Sequence, residues 1–167
     1  MSDPSGPEHH RALSRVSMQN EEARVFELLA FVCEDELYAV ELSSVHEIVI
    51  PPPITMVPRS PAAVLGVCSV RGELVTIVDL RTILSLPSGA VRIRARVLLA
   101  RIGASELVGL LVDEVRQVVR LRETQVEYSS QSLGGDLSDG VLGIGRPQDD
   151  EVIVILDLAS VLKKGCA

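Results

Sequence analysis

The sequence predicts an all-β fold with few short helices, arranged as two small and similar barrels. Its 167 residues are 47% apolar, mostly Val, Leu and Ile, with two Phe, two Tyr and no Trp. Such a composition favours strands over a helical bundle. Short apolar segments alternate with polar turns, and the same order of segments occurs twice along the chain. A duplicated series of short strands predicts two barrels that leave few sheet edges open.

The first half carries the signals of roughly five short strands. FELLAFVCEDELYAVEL places two apolar segments around the polar Glu34-Asp35-Glu36, which predicts a hairpin. LSSVHEIVI follows, and we expect Ser43 or Ser44 to begin a single helical turn there. The prolines of PPPITMVPRSP impose extended chain. VLGVCSV and ELVTIVDL are predicted to be two further strands.

The second half begins with the same hairpin pattern. VRIRARVLLARIGASELVGLLVDEV places Gly103-Ala104-Ser105 at its turn, and VIVILDLASVL supplies the last strand. Residues 1–24 differ from everything that follows, because they are polar and show no sustained period, so we predict a disordered tail there. The folded domain is predicted over residues 25–164.

Three blocks of the chain repeat in the same order. The blocks are 28–49 with 98–119 (offset 70), 64–67 with 141–144 (offset 77), and 74–84 with 152–162 (offset 78). Colinear blocks with a slowly growing offset indicate an internal duplication with a small insertion. We place the first repeat at about 26–86 and the second at about 96–164, each predicted to form one barrel.

Composition excludes several classes of function. The net charge of −7 argues against binding to nucleic acid or to anionic lipid, both of which require basic surfaces. Three cysteines without metal or disulfide spacing fit a reducing compartment. The amino terminus lacks the apolar stretch of a signal peptide, and no apolar run is long enough to cross a bilayer. We therefore predict a cytoplasmic protein without direct membrane insertion.

Asp79 and Asp157 are equivalent in the two repeats, and each ends an apolar strand. One Asp per half is also the arrangement of aspartic proteases, whose two carboxylates share a proton. Those sites need a small hydroxyl residue and a glycine after each Asp, whereas Leu-Arg and Leu-Ala follow here. We predict instead that both residues are structural caps of short helices.

Arg71 and Gly72 differ from these positions because only the first repeat carries them. The equivalent segment of the second repeat reads GRPQDD, although Glu73 and Glu151 beside it correspond. Gly suits a tight turn, and Arg offers a planar set of donors to a carboxylate or carbonyl. A feature present in one copy of a duplicated scaffold indicates function more than folding. The structural alternative is a solvent-exposed Arg in a hairpin.

Catalytic chemistry is not visible in the sequence, and we predict that the protein is not an enzyme. The segment SSVHEIV lacks the second histidine of a zinc protease motif, and no phosphate-binding loop or metal-spaced cluster occurs. We therefore expect no cofactor and no metal. The remaining enzymatic alternative is a β-barrel hydrolase using Glu73 and Asp79, but both positions recur in the second repeat.

Several segments together resemble the CheW family of bacterial chemotaxis coupling proteins. They are LLAFVCEDELYAVELSSVHEI, ITMVPRSP, VLGVCSVRGELVTIVDLR, VGLLVDEV and GIGRPQDDEVIVILDLASVL. The resemblance covers almost everything outside the tail. It implies two SH3-like five-stranded β-barrels packed on a shared core, in agreement with the duplication, and an adaptor without catalysis.

The resemblance also implies partners and contact residues. Such proteins bind the cytoplasmic hairpin tip of methyl-accepting chemoreceptors and the regulatory domain of a CheA-type histidine kinase, and they lie at receptor arrays on the inner face of the membrane. The family's receptor groove, which lies between the two barrels, maps here to Glu47, Gly66, Arg71 and Gly72, with Val108 and Gly109 on the facing barrel. Cys68-Ser-Val70 departs from the Asn-Leu pair that many members have before the Arg.

Two alternatives share the same fold. The chain could be the CheW-like module of a CheV-like protein or of a kinase regulatory domain from another chemosensory or motility pathway. It begins with Met, carries a polar tail and ends soon after Lys-Lys-Gly, so we expect a stand-alone adaptor rather than either alternative.

Overall fold

The computed structural model describes residues 24–87, 89–128 and 140–167. The predicted tail of residues 1–24 lies outside these residues except for Arg24. The strands are β1 Val25–Cys33, β2 Glu36–Glu41, β3 Glu47–Val49, β4 Val64–Val70, β5 Glu73–Asp79, β6 Arg96–Ile102, β7 Glu106–Val112, β8 Glu114–Arg122, β9 Val126–Tyr128, β10 Val141–Gln148 and β11 Glu151–Leu156.

Helices are few and short among the described residues, as the composition predicts. Helix α1 (Leu80–Ile83) follows β5, and helix α2 (Leu158–Cys166) follows β11. A 3₁₀ turn, Leu42–Ser44, precedes β3. Its N-cap position is Glu41, without a side-chain cap bond, so the prediction that Ser43 or Ser44 begins this turn is wrong.

The strands form two sheets, which confirms the predicted pair of β subdomains. Sheet I has the order β3-β6-β7-β5-β4, and sheet II has the order β8-β1-β2-β11-β10-β9. Each sheet combines strands from both halves of the chain. The hairpin β1–β2 of the first repeat lies in the sheet with the later strands of the second repeat. The hairpin β6–β7 of the second repeat lies in the sheet with the later strands of the first.

The prediction that each repeat forms its own barrel is therefore wrong. The exchange is made by two parallel pairs, β2 with β11 and β5 with β7. Parallel partners require a long crossover connection, which a local hairpin pattern does not reveal. A sequence repeat identifies which strands are equivalent, but it leaves open which of them pair.

The registers of the two parallel pairs support the duplication directly. Tyr38 lies opposite Val154 in sheet II, and Val108 lies opposite Thr76 in sheet I. The offset of 70 takes Tyr38 to Val108, and the offset of 78 takes Val154 back to Thr76. The two halves are thus equivalent in pairing as well as in sequence.

Sheet II has six strands where five were predicted, and proline explains the difference. Val67 and Ile144 are equivalent residues; Ile144 pairs with Glu127 in β9, whereas Val67 pairs with Thr55 in an isolated bridge. The counterpart of β9 is thus a single bridge within PPPIT. Proline lacks the N–H that a ladder needs, so the first half does not extend this bridge into a strand.

Buried side chains form three clusters. A shared cluster, with Phe31 from sheet II and Leu110 from sheet I, joins both sheets and receives Leu158 of α2. Sheet I also has its own cluster around Ile77, and sheet II has one around Ile153. This arrangement matches two small barrels packed on a common core.

Strand β6 shows how one strand serves two clusters. Val97 and Leu99 belong to the cluster of sheet I, whereas Leu98 and Ala100 belong to the shared cluster. Successive side chains of a strand point to opposite faces. A strand that is buried on both faces therefore reads as a continuous apolar run, as VLLA does in the sequence.

Candidate functional site

Arg71 and Gly72 form the two-residue turn between β4 and β5. Val70 pairs with Glu73 across this turn, and the φ angles of Arg71 and Gly72 are 50° and 78°. Two positive φ values are typical of hairpin turns that match the twist of the strands. A non-glycine residue in this region costs roughly 1–2 kcal/mol, so Arg71 is held in an unfavourable conformation at the surface.

Gly72 serves the turn through its conformation, not through lack of bulk. A Cβ built at Gly72 would meet no atom within 4 Å. The space above this turn is open, and the turn presents Arg71 to solvent. The side chain of Arg71 is 79% exposed.

Arg71 forms an ion pair with Glu47, the first residue of β3. The bond joins Nη2 of Arg71 to Oε1 of Glu47, whose side chain is only 23% exposed. The two polar positions that the family resemblance singled out are thus brought together. An exposed ion pair adds at most about 1 kcal/mol of stability, so its main effect is to set the direction of the Arg71 side chain.

A second ion pair lies beside the first. Arg101 of β6 is 3.4 Å from Glu73, and its Nη1 also donates a hydrogen bond to the carbonyl oxygen of Ser105 at 3.2 Å. The two pairs border a shallow cleft of about 460 Å³. Its lining residues are His46, Glu47, Val70, Arg71, Gly72, Glu73, Arg101 and Leu107. We call this surface the Arg71 cleft.

The Arg71 cleft lies beside the buried cluster of sheet I and shares Val70 and Leu107 with it. Leu107 belongs to that cluster and Val70 packs against it, so a small apolar area lies among the charged and polar side chains that line most of the cleft. Sequence reasoning missed Arg101 and Leu107, which come from the hairpin of the second repeat. Arg101 has one signal in the sequence, the alternation of β6, which places it on the same face as Leu99.

Gly66 does not line the cleft, contrary to the assignment made from the resemblance. It is buried with φ 150°, and a Cβ there would lie 2.7 Å from the carbonyl carbon of Thr55 and 2.8 Å from Ile54 Cγ2. Its counterpart Gly143 is crowded in the same way by the backbone of Glu127. Both glycines permit the close approach of a neighbouring strand, which is a structural role.

Val108 and Gly109 are also placed differently from the assignment. Val108 has no exposed surface and belongs to the shared cluster. A Cβ at Gly109 would lie 2.8 Å from Ile77 Cδ1 and 3.2 Å from Leu99 Cδ2, inside the sheet I cluster. Both residues lie in the interior, in the central strand β7 of sheet I, which is the sheet that carries Glu47 and the Arg71 turn and not the facing one. They support the cleft without reaching its surface.

Asp79 is the N-cap residue of α1. Its Oδ1 accepts a hydrogen bond from the backbone N–H of Arg81 at 3.0 Å. Burial raises the pKa of the Asp79 carboxyl, and the hydrogen bond from Arg81 opposes that rise.

Asp157 occupies the same position before α2 but makes a different bond. Its carboxylate accepts a hydrogen bond from the Ser160 hydroxyl at 2.7 Å and none from a backbone N–H. The prediction of identical caps is thus wrong in this detail. Ser160 stands where the first repeat has Thr82, and its hydroxyl competes for the carboxylate.

The hydrolase alternative fails on geometry. Glu73 and Asp79 lie at opposite ends of β5. Six residues of extended strand span about 20 Å, so the two carboxylates are too far apart to act on one bond. Glu73 is also paired with Arg101. Across residues 24–87, 89–128 and 140–167, no group of three or more His, Cys, Asp or Glu side chains is placed to hold a metal ion.

Sheet II has a cleft at the equivalent place, with different chemistry. This cleft measures about 600 Å³, and its lining includes Leu37, Gln117 and Glu151. These residues are the counterparts of Leu107, Glu47 and Glu73. The turn that corresponds to Arg71-Gly72 is Asp149-Asp150. The concave shape is duplicated, whereas the Arg–Glu pair belongs to sheet I.

Comparison with known proteins identifies the family. A family model described as CheW-like domain matches residues 27–166. The chemotaxis protein CheW of Helicobacter pylori is 29% identical over 157 residues, covering 94% of this chain and 93% of that protein. The probable chemotaxis protein CheW of Rhizobium etli is 30% identical over 141 residues, covering 83% of this chain and 88% of that protein.

A solved structure agrees with these matches. The crystal structure of the scaffolding protein TtCheW from Thermoanaerobacter tengcongensis superposes with a TM-score of 0.74 at 26% identity, covering 83% of this chain and 92% of that chain. Fold and comparisons together define a two-subdomain β scaffold protein of bacterial chemotaxis. The chain belongs to the CheW-like domain family, as the resemblance predicted, and within it acts as a coupling adaptor.

Proposed function

We propose that this protein couples methyl-accepting chemoreceptors to a CheA-type histidine kinase, and that the Arg71 cleft contacts the cytoplasmic tip of the receptor. It acts in the cytoplasm at receptor arrays, without catalysis or a cofactor. The observation that carries the proposal is the Arg71–Glu47 pair, which one copy of a duplicated scaffold presents on a strained, exposed turn. The scaffold alone does not require this pair.

The shape of the cleft suits a helical hairpin. Its lining is mostly charged and polar, with Val70 and Leu107 between the charges, and Gly72 leaves open space above the turn. A helix laid across such a surface contacts Val70 and Leu107 with apolar side chains and the surrounding charges with polar ones. Arg71 then donates to carboxylates or carbonyls of the helix, and Glu47 fixes the direction of the donors.

Charge and membrane features fit this setting. The net charge of −7 opposes contact with nucleic acid and with anionic lipid. In the part of the chain that the structure describes, no helix is long and apolar enough to cross a bilayer. The protein therefore reaches the membrane through its receptor, and the regulatory domain of the kinase is its second partner.

Substitution of Arg71 tests the receptor contact. We expect Arg71→Glu to weaken co-sedimentation with receptor-containing membranes by about 30-fold, because loss of a central interface Arg costs about 2 kcal/mol or more. The new carboxylate also repels Glu47. Binding to the isolated kinase regulatory domain is expected to stay at the wild-type level, which shows that the fold is intact.

Arg120→Glu is the matched control. Arg120 is 74% exposed and paired with Glu27 on sheet II, so it has the same chemistry as Arg71 without a place in the cleft. Wild-type receptor binding by the control is expected. Equal losses in the two variants, or wild-type receptor binding by Arg71→Glu, would remove the Arg71 cleft as the receptor site.

A further inference from the structure

A buried ionic cluster lies away from the Arg71 cleft. Its centre is Arg81, whose Nη2 is 2.6 Å from Oδ1 of Asp113 and whose Nε is 3.2 Å from Oε1 of Glu34. The side chains of Arg81 and Asp113 are only 6% and 8% exposed. Arg92 closes the cluster from outside, 3.6 Å from Glu34 and 3.7 Å from Asp113. We call these four residues the clasp.

The clasp joins the two subdomains. Glu34 lies in the turn between β1 and β2 of sheet II, and Arg81 lies in α1, directly after β5 of sheet I. Asp113 lies where the chain passes from β7 of sheet I to β8 of sheet II, and its Oδ2 accepts the backbone N–H of Glu34 at 2.9 Å. The ion pair between Arg81 and Glu34 therefore connects one sheet to the other.

The clasp has no second copy. The counterparts of Glu34, Arg81 and Asp113 in the other half are, in the same order, Ala104, Ala159 and Ser43. The equivalent contact between the sheets, on the other side of the molecule, thus forms without these charges. The Arg71–Glu47 pair is likewise confined to one copy. A buried charge pair is a poor source of stability compared with apolar packing, but it holds its partners in one geometry.

We propose that the clasp fixes the orientation of sheet I relative to sheet II, and that this fixed orientation transmits receptor binding at the Arg71 cleft to the kinase. The second part rests on the proposed function. Without the clasp, the shared apolar cluster and the hydrogen bond from the Asp113 N–H to the Val32 carbonyl oxygen still hold the sheets together. They allow small rotations, because hydrophobic contacts are non-directional. Each partner then binds, but binding of one no longer constrains the other.

The double variant Arg81→Met/Asp113→Asn tests the clasp without leaving a buried charge. Met fills the volume of the Arg stem, and Asn keeps an oxygen for the Glu34 N–H. Replacing a buried ion pair by neutral groups of similar size is often neutral for stability. Arg94→Met is the control, because Arg94 is 77% exposed and pairs with Glu114 outside the clasp.

Distances between spin labels report the orientation directly. Leu74 of sheet I and Val152 of sheet II are equivalent, exposed positions for the labels. Cys166 is replaced by Ser, while Cys33 and Cys68 are buried. Burial is the main cause that raises the pKa of the Cys33 thiol to about 12, which disfavours the reactive thiolate. We expect one narrow distance distribution in the wild type and in Arg94→Met, and a broad one in the double variant.

Function is measured on the same variants. We expect the double variant to bind receptor membranes and the kinase regulatory domain within about threefold of wild type. Receptor-dependent kinase phosphorylation is expected to fall by about tenfold, the size of common couplings between sites. A narrow distribution in the folded double variant would overturn the proposal, and so would full kinase stimulation despite a broad distribution.

Two further results keep the test decisive. If the double variant does not fold, Asp113→Asn takes its place, because it removes the Arg81–Asp113 ion pair and keeps an oxygen for the Glu34 N–H. Broadening then supports the clasp, and the wild-type distribution overturns it. If the wild type itself fails to stimulate the kinase, the proposed function fails, while the label distances still decide whether the clasp orients the sheets.

Discussion

At the residue scale, the two halves provide an internal control for each position. Gly66 and Gly143 are crowded by the backbone of a neighbouring strand in the same way, so both belong to the scaffold. Arg71 corresponds to Asp149, which has the opposite charge, and its turn is strained and exposed. Comparison of the two copies therefore distinguishes residues that stabilise the fold from exposed residues available for binding.

Alanine substitutions of the glycines test this distinction. We expect Gly66→Ala to lower the free energy of unfolding by about 3 kcal/mol or more, because the new Cβ collides with backbone that cannot move aside. Gly143→Ala is expected to behave similarly. Gly72→Ala meets no atom within 4 Å and is expected to cost only the roughly 1–2 kcal/mol of its positive φ. Urea unfolding measures all three, and equal losses at Gly66 and Gly72 would contradict the structural role of Gly66.

The two aspartates make a second comparison. Asp79→Ala removes the acceptor for the Arg81 N–H and is expected to cost about 1 kcal/mol, the usual value of an N-cap. Asp157→Ala removes only a bond to the Ser160 hydroxyl and is expected to cost less than about 0.5 kcal/mol. Thermal or urea unfolding of both variants checks the order. A larger loss at Asp157 would show that its carboxylate caps α2 in solution.

At the element scale, the sequence predicted strands well and their partners poorly. VLGVCSV and ELVTIVDL correspond to β4 and β5, and the hairpin turns fall at Glu34-Asp35 and Gly103-Ala104-Ser105. These are local patterns of alternation and turn residues. The exchange of hairpins between the repeats depends on contacts between distant segments, and no local pattern encodes it.

The same limit applies to the Arg71 cleft. Glu47, Arg71 and Gly72 were found through a motif that lies within one repeat. Arg101 and Leu107 were missed because they reach the cleft only through the exchanged hairpin β6–β7. Val108 and Gly109 were assigned to the surface because they match the family motif. That motif marks a buried central strand, and the sequence alone does not show whether a motif residue contacts the partner or packs beneath the cleft.

The exchange of hairpins predicts how half-chains behave. Residues 24–90 and 91–167, produced separately, are each expected to lack cooperative unfolding, because neither contains the strands of a complete sheet. Mixed together, they are expected to restore the dispersed amide spectrum of the intact protein. The control is the intact chain cut once between residues 87 and 91, which should stay folded. Cooperative folding of either half alone would contradict the exchanged topology.

At the scale of the whole molecule, shape is duplicated and chemistry is not. Both sheets end in equivalent clefts, but the Arg71–Glu47 pair occurs only in the first repeat, and the clasp between the repeats has no second copy. Divergence of the charged residues gives two clefts of similar shape different binding chemistry.

Reconstitution of the signalling complex tests the central claim most directly. The measurement is the rate of ATP-dependent phosphorylation of the cognate kinase, with receptor-containing membranes, as the protein is added. We predict that the rate rises with the concentration of the wild-type protein, only when receptors are present, and stays at the kinase-alone level with Arg71→Glu. A rate that is unchanged by the wild-type protein, or equally stimulated by Arg71→Glu, would contradict the assignment of receptor coupling to the Arg71 cleft.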